Sequence, residues 1–191
     1  MSDILQVRGL TKRFGGLAAV NEVDFDVREG GISGLIGPNG AGKTTIFNLI
    51  TGVYKVSSGT VSFGGRDITD LEPHRIAGLG VTRTFQNIRL FKNLTVFENV
   101  LTACHASAGY SIVDSLLRLP RFRREEKAIR DKADGLLEIL GLADRKDAIA
   151  NGLPYGLQRR LEITRALALD PRLLLLDEPA AGMNPDETEQ L

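Results

Sequence analysis

From Ala19 to Val27 apolar and polar residues alternate. Val23, Phe25 and Val27 fall on one face of an extended chain, and Glu22, Asp24, Asp26 and Arg28 on the other. Such a strand has one buried face and one wet face, the habit of antiparallel sheets. Ile4 to Gly9 reads as a strand, and Val61 and Phe63 repeat the alternation in a third, short one before a Gly64-Gly65 turn. The pattern predicts an antiparallel layer. Between the first two strands, Thr11 to Gly16 reads as a loop.

Two other runs are apolar without alternation. Ile32 to Ile36 and Leu173 to Leu176 suit strands buried on both faces in a parallel sheet. Val81 to Phe85 reads as another strand, with Gln86 at its C-terminal end. Helical spacing appears from Lys43 to Thr51, closed by Gly52. Thr95-Val96-Phe97-Glu98 forms a capping box that opens a helix running through Cys104. A further helix spans about Glu125 to Leu140, stopped by Gly141, with Glu126 and Arg130 at the favourable i,i+4 spacing. The last, Gly156 to Ala168, sets Leu157, Leu161 and Ala168 on an apolar side, while Arg159, Arg160 and Arg165 supply charge. The fold class is α/β, and residues from about 90 to 155 are placed as a helical insertion.

Composition narrows the partners. Among 191 residues, 24 basic and 24 acidic side chains leave zero formal charge, which argues against a nucleic-acid partner held by bulk electrostatics. The one cysteine, Cys104, rules out an internal disulfide and supplies no metal cluster. No aliphatic run approaches the length needed to span a bilayer. The mixed charges from Arg121 to Lys127 read as a solvated helix face, with docking on anionic lipid as the rival.

The chemistry centres on Gly37-Pro38-Asn39-Gly40-Ala41-Gly42-Lys43-Thr44-Thr45, which fills the G-x-x-x-x-G-K-[ST] pattern between a predicted strand and a helix. Clustered glycines let backbone N–H groups turn inward around phosphate oxygens, and the helix N-terminus adds partial positive charge. Lys43 would reach the β- and γ-phosphates, Thr44 offers a hydroxyl to Mg²⁺, and Thr45 can bond the α-phosphate. Asp177 and Glu178 end the leucine run. Asp177 can then hold Mg²⁺ or its water shell, and Glu178 can orient or activate an attacking water. Gln86 can point into the nucleotide crevice. For Phe14 two readings stand, an ordinary core role and a stack on a purine ring.

Taken together, these motifs resemble the ATP-binding cassette (ABC) ATPases, and most closely the LivG-type subunit of bacterial branched-chain amino-acid importers. Gly37 to Thr45 resembles Walker A, Gln86 the Q-loop, Leu173 to Glu178 Walker B with the catalytic glutamate, and Ala180 to Asn184 the D-loop. Phe14 stands where the family places its adenine-stacking aromatic. Leu153-Pro154-Tyr155-Gly156-Leu157 falls on the family signature, Leu157 replacing a glutamine. The resemblance implies a RecA-like core, an antiparallel β subdomain and an α-helical subdomain within one domain. It implies ATP and Mg²⁺ as cofactors, with Thr44, Gln86 and Asp177 around the metal. The implied partners are a second ATP-binding subunit head-to-tail, transmembrane permease subunits and, indirectly, a periplasmic solute-binding protein, with no nucleic acid. The implied place is the cytoplasmic face of the inner membrane, through the permease.

The family's switch histidine comes after the D-loop, and His74 and His105 stand too early for it. Asn184, Pro185, Asp186, Glu187 and Glu189 announce a helix. The expectation is a C-terminally incomplete cassette that turns ATP over weakly by itself. The rival readings are a soluble ABC ATPase acting on DNA or ribosomes, and a nucleotide-binding fragment without turnover. The first lacks its usual coiled-coil insertion or second cassette here.

Overall fold

The computed structural model describes residues 2–84 and 88–183. Its internal contacts divide the chain into two units, Met1–Val81 and Thr82–Leu191.

In the first unit, β1 (Asp3–Phe14) pairs antiparallel with β2 (Leu17–Arg28) and with β3 (Ser58–Phe63), and β4 (Arg66–Asp67) completes the order β2-β1-β3-β4. The alternation in β2 is realised: Val23, Phe25 and Val27 are half-buried and the acidic residues between them exposed. The segment expected as a loop is mostly strand. Thr11 pairs with Ser58 of β3, and Lys12 to Phe14 pair along β2 with Phe14 opposite Leu17, so only Gly15 and Gly16 are left to turn. Inside the layer lie Leu5, Val7, Leu10, Val61 and Phe63. Next, α1 (Lys43–Ile50) buries Ile46, Leu49 and Ile50 and ends at Thr51 before Gly52. The short α2 (Pro73–Gly78), which the apolar pattern did not announce, starts on a proline and buries only Ile76.

One expected strand is not formed. Ile32 to Ile36 has no regular structure, and Ile32 and Ile36 are exposed. A strand needs neighbours for its N–H and C=O groups, and among the described residues none pairs with this run.

In the second unit, β5 (Val81–Arg83) pairs with β6 (Leu173–Leu175), and the Thr84 N–H donates to the Leu175 carbonyl at 3.0 Å. Of the leucine run only Leu175 is buried, because a two-stranded ladder leaves faces open. Among the described residues, four α-helices follow β5: α3 (Val96–Cys104), α4 (Ile112–Leu116), α5 (Pro120–Ile139) and α6 (Tyr155–Leu167). Their core joins Val96, Val100 and Cys104 of α3 to Ala133 and Leu137 of α5 and Leu161 of α6. Burial pushes the Cys104 thiol up, which suits an inert core residue.

The capping box is present as read. Glu98 N–H donates to Thr95 Oγ1 at 3.1 Å, while Thr95 N–H and Oγ1 donate to Glu98 Oε2 at 2.8 and 3.0 Å and hold its carboxyl below the usual value. The third helix of the unit begins at Pro120 rather than Glu125, since proline is well placed in a first turn. The start of α3 is stitched to a later segment. Val96 N–H donates to Ala148 O at 2.9 Å, Phe97 N–H to Lys146 O at 2.9 Å and Ala150 N–H to Leu94 O at 3.0 Å. Buried Asn99 ties the same region, accepting from Phe91 N–H at 2.9 Å and donating to the Phe91 and Thr95 carbonyls at 3.0 and 2.9 Å.

Candidate functional site

In the first unit the phosphate loop leads directly into α1. Gly42 sits at the helix N-cap with φ +87°, and an added Cβ there would lie 2.5 Å from the Ala19 carbonyl oxygen. Both the backbone angle and the space therefore require glycine. The first intrahelical bond runs from Ile46 N–H to Gly42 O at 2.9 Å. The N–H groups of Lys43, Thr44 and Thr45 precede it and present the positive end of the helix, with no acidic side chain in the first turn to compete. Lys43 folds back over the loop, its Nζ donating to Gly37 O at 2.7 Å and Pro38 O at 3.0 Å. Gly37, Pro38, Lys43 and the helix start are thus one assembly around an ammonium group, suited to an anion with several oxygens. Asn39, Gly40 and Ala41 lie exposed between them.

Phe14 is not a core residue. Its ring is 45% exposed, meets Tyr54 edge-on at 5.4 Å between centroids, and has Lys12 Nζ 5.1 Å from its centre. Lys12 is held there by the Lys55 carbonyl at 2.7 Å. An aromatic pair beside a cation, partly open to solvent, can accept a flat ring.

In the second unit the carboxylates follow β6 on a tight turn. Asp177 is 4% exposed, and its Oδ2 accepts from Arg83 Nη2 at 2.8 Å, both side chains being out of solvent. Glu178 is exposed, with φ +48°, a region few non-glycine residues occupy. What fixes the turn is Arg159 of α6. Its guanidinium donates to Asp177 O at 2.5 Å, Glu178 O at 3.1 Å and Pro179 O at 3.3 Å, and pairs with Glu162 Oε2 at 2.6 Å.

Here the sequence reading needs correction. Arg159, read as supplying charge to an amphipathic helix, is 1% exposed, and Arg160 is also buried. A guanidinium can leave water when a carboxylate and several carbonyls replace its hydration, and Arg159 has both. The i,i+3 spacing of Arg159 and Glu162 was the available signal. Arg165 is half-buried over the Phe91 ring at 4.7 Å and donates to the Arg89 carbonyl; burial holds its guanidinium below the usual value. A cleft of about 360 Å³ opens among Arg83, Arg89, Phe91, Glu162 and Arg165.

The signature segment starts α6. Leu153 is buried, Pro154 precedes the first turn, and Tyr155 is exposed on the side facing Gly182, where an added Cβ would come within 3.1 Å of the ring. Gly156 is buried, and Leu157 packs against the helical core. Gln86 and Asn184, with the helix expected after it, lie outside the described residues. His105 is a helix-end residue, its ring bonded to Leu101 O and Glu126 Oε1, both at 2.8 Å, and His74 is exposed.

The pattern of the ABC transporter family matches residues 20–181, a span that takes in both the phosphate loop and the carboxylate turn. The chain belongs to the ABC transporter family. Within that family it is similar to the high-affinity branched-chain amino acid transport ATP-binding protein LivG of Salmonella typhimurium, at 49% identity over 98% of this chain and 74% of that protein. BraF of Pseudomonas aeruginosa, described in the same words, matches with the same identity and coverage. Among solved structures, the ADP conformation of an ATP-binding cassette of an ABC transporter superposes with a TM-score of 0.83 at 36% identity, over 100% of this chain and 74% of that one. The expected P-loop ABC ATPase fold is thereby established for this member of the family.

Proposed function

We propose that this chain is the ATP-binding and ATP-hydrolysing subunit that powers an ABC importer of branched-chain or related amino acids. The observation that carries the ATP site is Lys43 folded over Gly37 and Pro38 at the start of α1, where an ammonium group and open helix N–H groups converge. The solute class is supported by the near-half identity to LivG and BraF.

In this reading Gly37, Pro38, Asn39, Gly40, Ala41 and Gly42 wrap the phosphates with backbone N–H groups, Lys43 neutralises the β- and γ-phosphates, and Thr45 adds a bond at the α-phosphate. Phe14 supports the adenine ring. The oxygen donors of Thr44, Gln86 and Asp177 suit Mg²⁺, a hard cation usually held by few protein oxygens together with substrate phosphates. When bound, the ion would neutralise phosphate charge. Asp177, oriented by the bond from Arg83 to its Oδ2, is the carboxylate assigned to that role. Glu178 accepts a proton from, or orients, the attacking water, and Gln86 assists. Leu153 to Leu157 meets the γ-phosphate held by a second ATP-binding subunit in a head-to-tail pair.

Residues from about 90 to 155 are the helical subdomain of the cassette. Permease subunits hold it at the cytoplasmic face of the membrane, and a periplasmic solute-binding protein acts through them. No described helix is long and apolar enough to cross a membrane, which agrees with a peripheral place. Transport proteins among the relatives favour this reading over a role on DNA or ribosomes.

The test is ATP titration and turnover in the assembled transporter. Lys43→Ala removes charge-assisted hydrogen bonds worth about 1.5–3 kcal/mol, so ATP affinity should fall about tenfold or more. Glu178→Gln should bind ATP and hydrolyse little. Unchanged affinity in the first variant, or parental turnover in the second, would overturn the assignment.

A further inference from the structure

The segment that joins α3 to α5 carries an apolar surface that the helical core does not use. Val113 and Leu116 of α4 and Leu117 at its C-cap follow the i, i+3, i+4 spacing of one helix face, and they are 59%, 81% and 62% exposed. The capping box of Ser111 and Asp114 fixes this short helix at its start, so the face is a formed one.

Basic charge follows immediately. Between Ser111 and Lys127 stand five cations, Arg118, Arg121, Arg123, Arg124 and Lys127, against three carboxylates, in a chain whose formal charge is zero. The carboxylates are already engaged: Asp114 in its cap, Glu125 with Arg121 at 3.1 Å, and Glu126 with His105 and Tyr110, both at 2.8 Å. Among the described residues, no hydrogen bond or ion pair engages the side chains of Arg118, Arg123, Arg124 or Lys127. On α5, Arg123, Arg124 and Lys127 share the solvent side, opposite Phe122, Ala133 and Leu137. Phe122 is used internally, edge-on against Tyr110 at 5.0 Å.

We infer that α4 and the first turns of α5 form a docking surface for an anionic membrane. Exposed leucines beside uncompensated arginines match the two layers of a bilayer interface, acyl chain edge and phosphate headgroup. Leu116 and Leu117 enter the apolar layer. Arg118, Arg123 and Arg124 meet lipid phosphates. Mixed sign along the Arg121 to Lys127 run conceals that its carboxylates have internal partners, whereas Arg123, Arg124 and Lys127 have none among the described residues. This contact is independent of the nucleotide site and of any permease.

The experiment is vesicle co-sedimentation of the full chain, using phosphatidylcholine vesicles with and without about one-third phosphatidylglycerol. Binding should require the anionic lipid and weaken with added salt. Arg118→Gln, Arg123→Gln and Arg124→Gln together should lower the partition coefficient by about fivefold per arginine, and Leu116→Ser with Leu117→Ser should lower it independently. Both variants should keep the parent's melting temperature and ATP affinity, since none of these side chains enters the core or the phosphate loop. Equal binding to neutral and anionic vesicles, or no change in either variant, would overturn the proposal. So would a surface that ignores vesicles and instead loses capture by detergent-solubilised permease when the same arginines are changed. Loss of ATP affinity in Lys43→Ala with unchanged vesicle binding would separate this surface from the nucleotide reading.

Discussion

The guanidinium of Arg159 and the backbone carbonyl of Asp177 lie 2.5 Å apart. Through that contact a buried side chain of α6 fixes the turn on which Glu178 sits at positive φ. Arg159→Met should destabilise the chain by about 3–5 kcal/mol, because the buried Glu162 loses its ion pair with Arg159 and three carbonyls lose a donor. Changing Glu162→Leu in the same chain should recover part of the loss. Urea unfolding of parent, single and double variants measures both. A single variant as stable as the parent would show that the turn is held otherwise.

Gly42 and Gly40 both have strongly positive φ, but only Gly42 is crowded. Gly40→Ala meets open space, so its cost should be the backbone term alone, about 1 kcal/mol. Gly42→Ala adds a 2.5 Å clash with the Ala19 carbonyl, so it should cost several times as much and weaken ATP binding. Paired thermal melts and ATP titrations check the order. Equal penalties would mean that the loop relaxes freely around Gly42.

These two sites also show what was legible beforehand. The phosphate loop is contiguous, and its glycines, lysine and helix start are local choices that a sequence displays directly. The Thr95 capping box was legible for the same reason. Ile32 to Ile36 was misread because a strand depends on ladder partners that its own residues do not reveal. The burial of Arg159 is not legible locally, because it depends on carbonyls 18 to 20 residues further along the chain. A charged side chain is exposed by default, and an i,i+3 carboxylate alone does not overturn that.

Leu157 raises a different question. By resemblance it replaces a polar residue of the signature, yet its side chain packs against the helical core. Leu157→Gln should therefore lower stability by about 1 kcal/mol, whatever it does to turnover. Chemical denaturation of the full chain gives the answer. A variant as stable as the parent would show that this leucine contributes little packing.

Glu126 should make the helical unit sensitive to acid. Burial alone would raise its carboxyl, but hydrogen bonds from Tyr110 and His105, and then the charges of His105 and Arg130, outweigh that and hold it below its ordinary 4.5. Because the folded value is the lower one, the stabilisation is present above about pH 4.5 and is lost as pH falls through the folded value. Glu126→Gln should be less stable near neutrality and should lose less on acidification. Melting temperatures of the two chains across that acid range should converge. Parallel curves would remove Glu126 from the acid response.

The backbone bonds between Leu94 to Phe97 and Lys146 to Ala150 place the entry and exit of the intervening helices side by side. A segment whose ends meet can be lengthened, shortened or exchanged without changing the distance its flanking strands must bridge. β5 and β6 therefore need not move when the helices between them are remodelled. Evolution could have altered the outer helices, including α4, as an exchangeable attachment while the carboxylate turn kept its place.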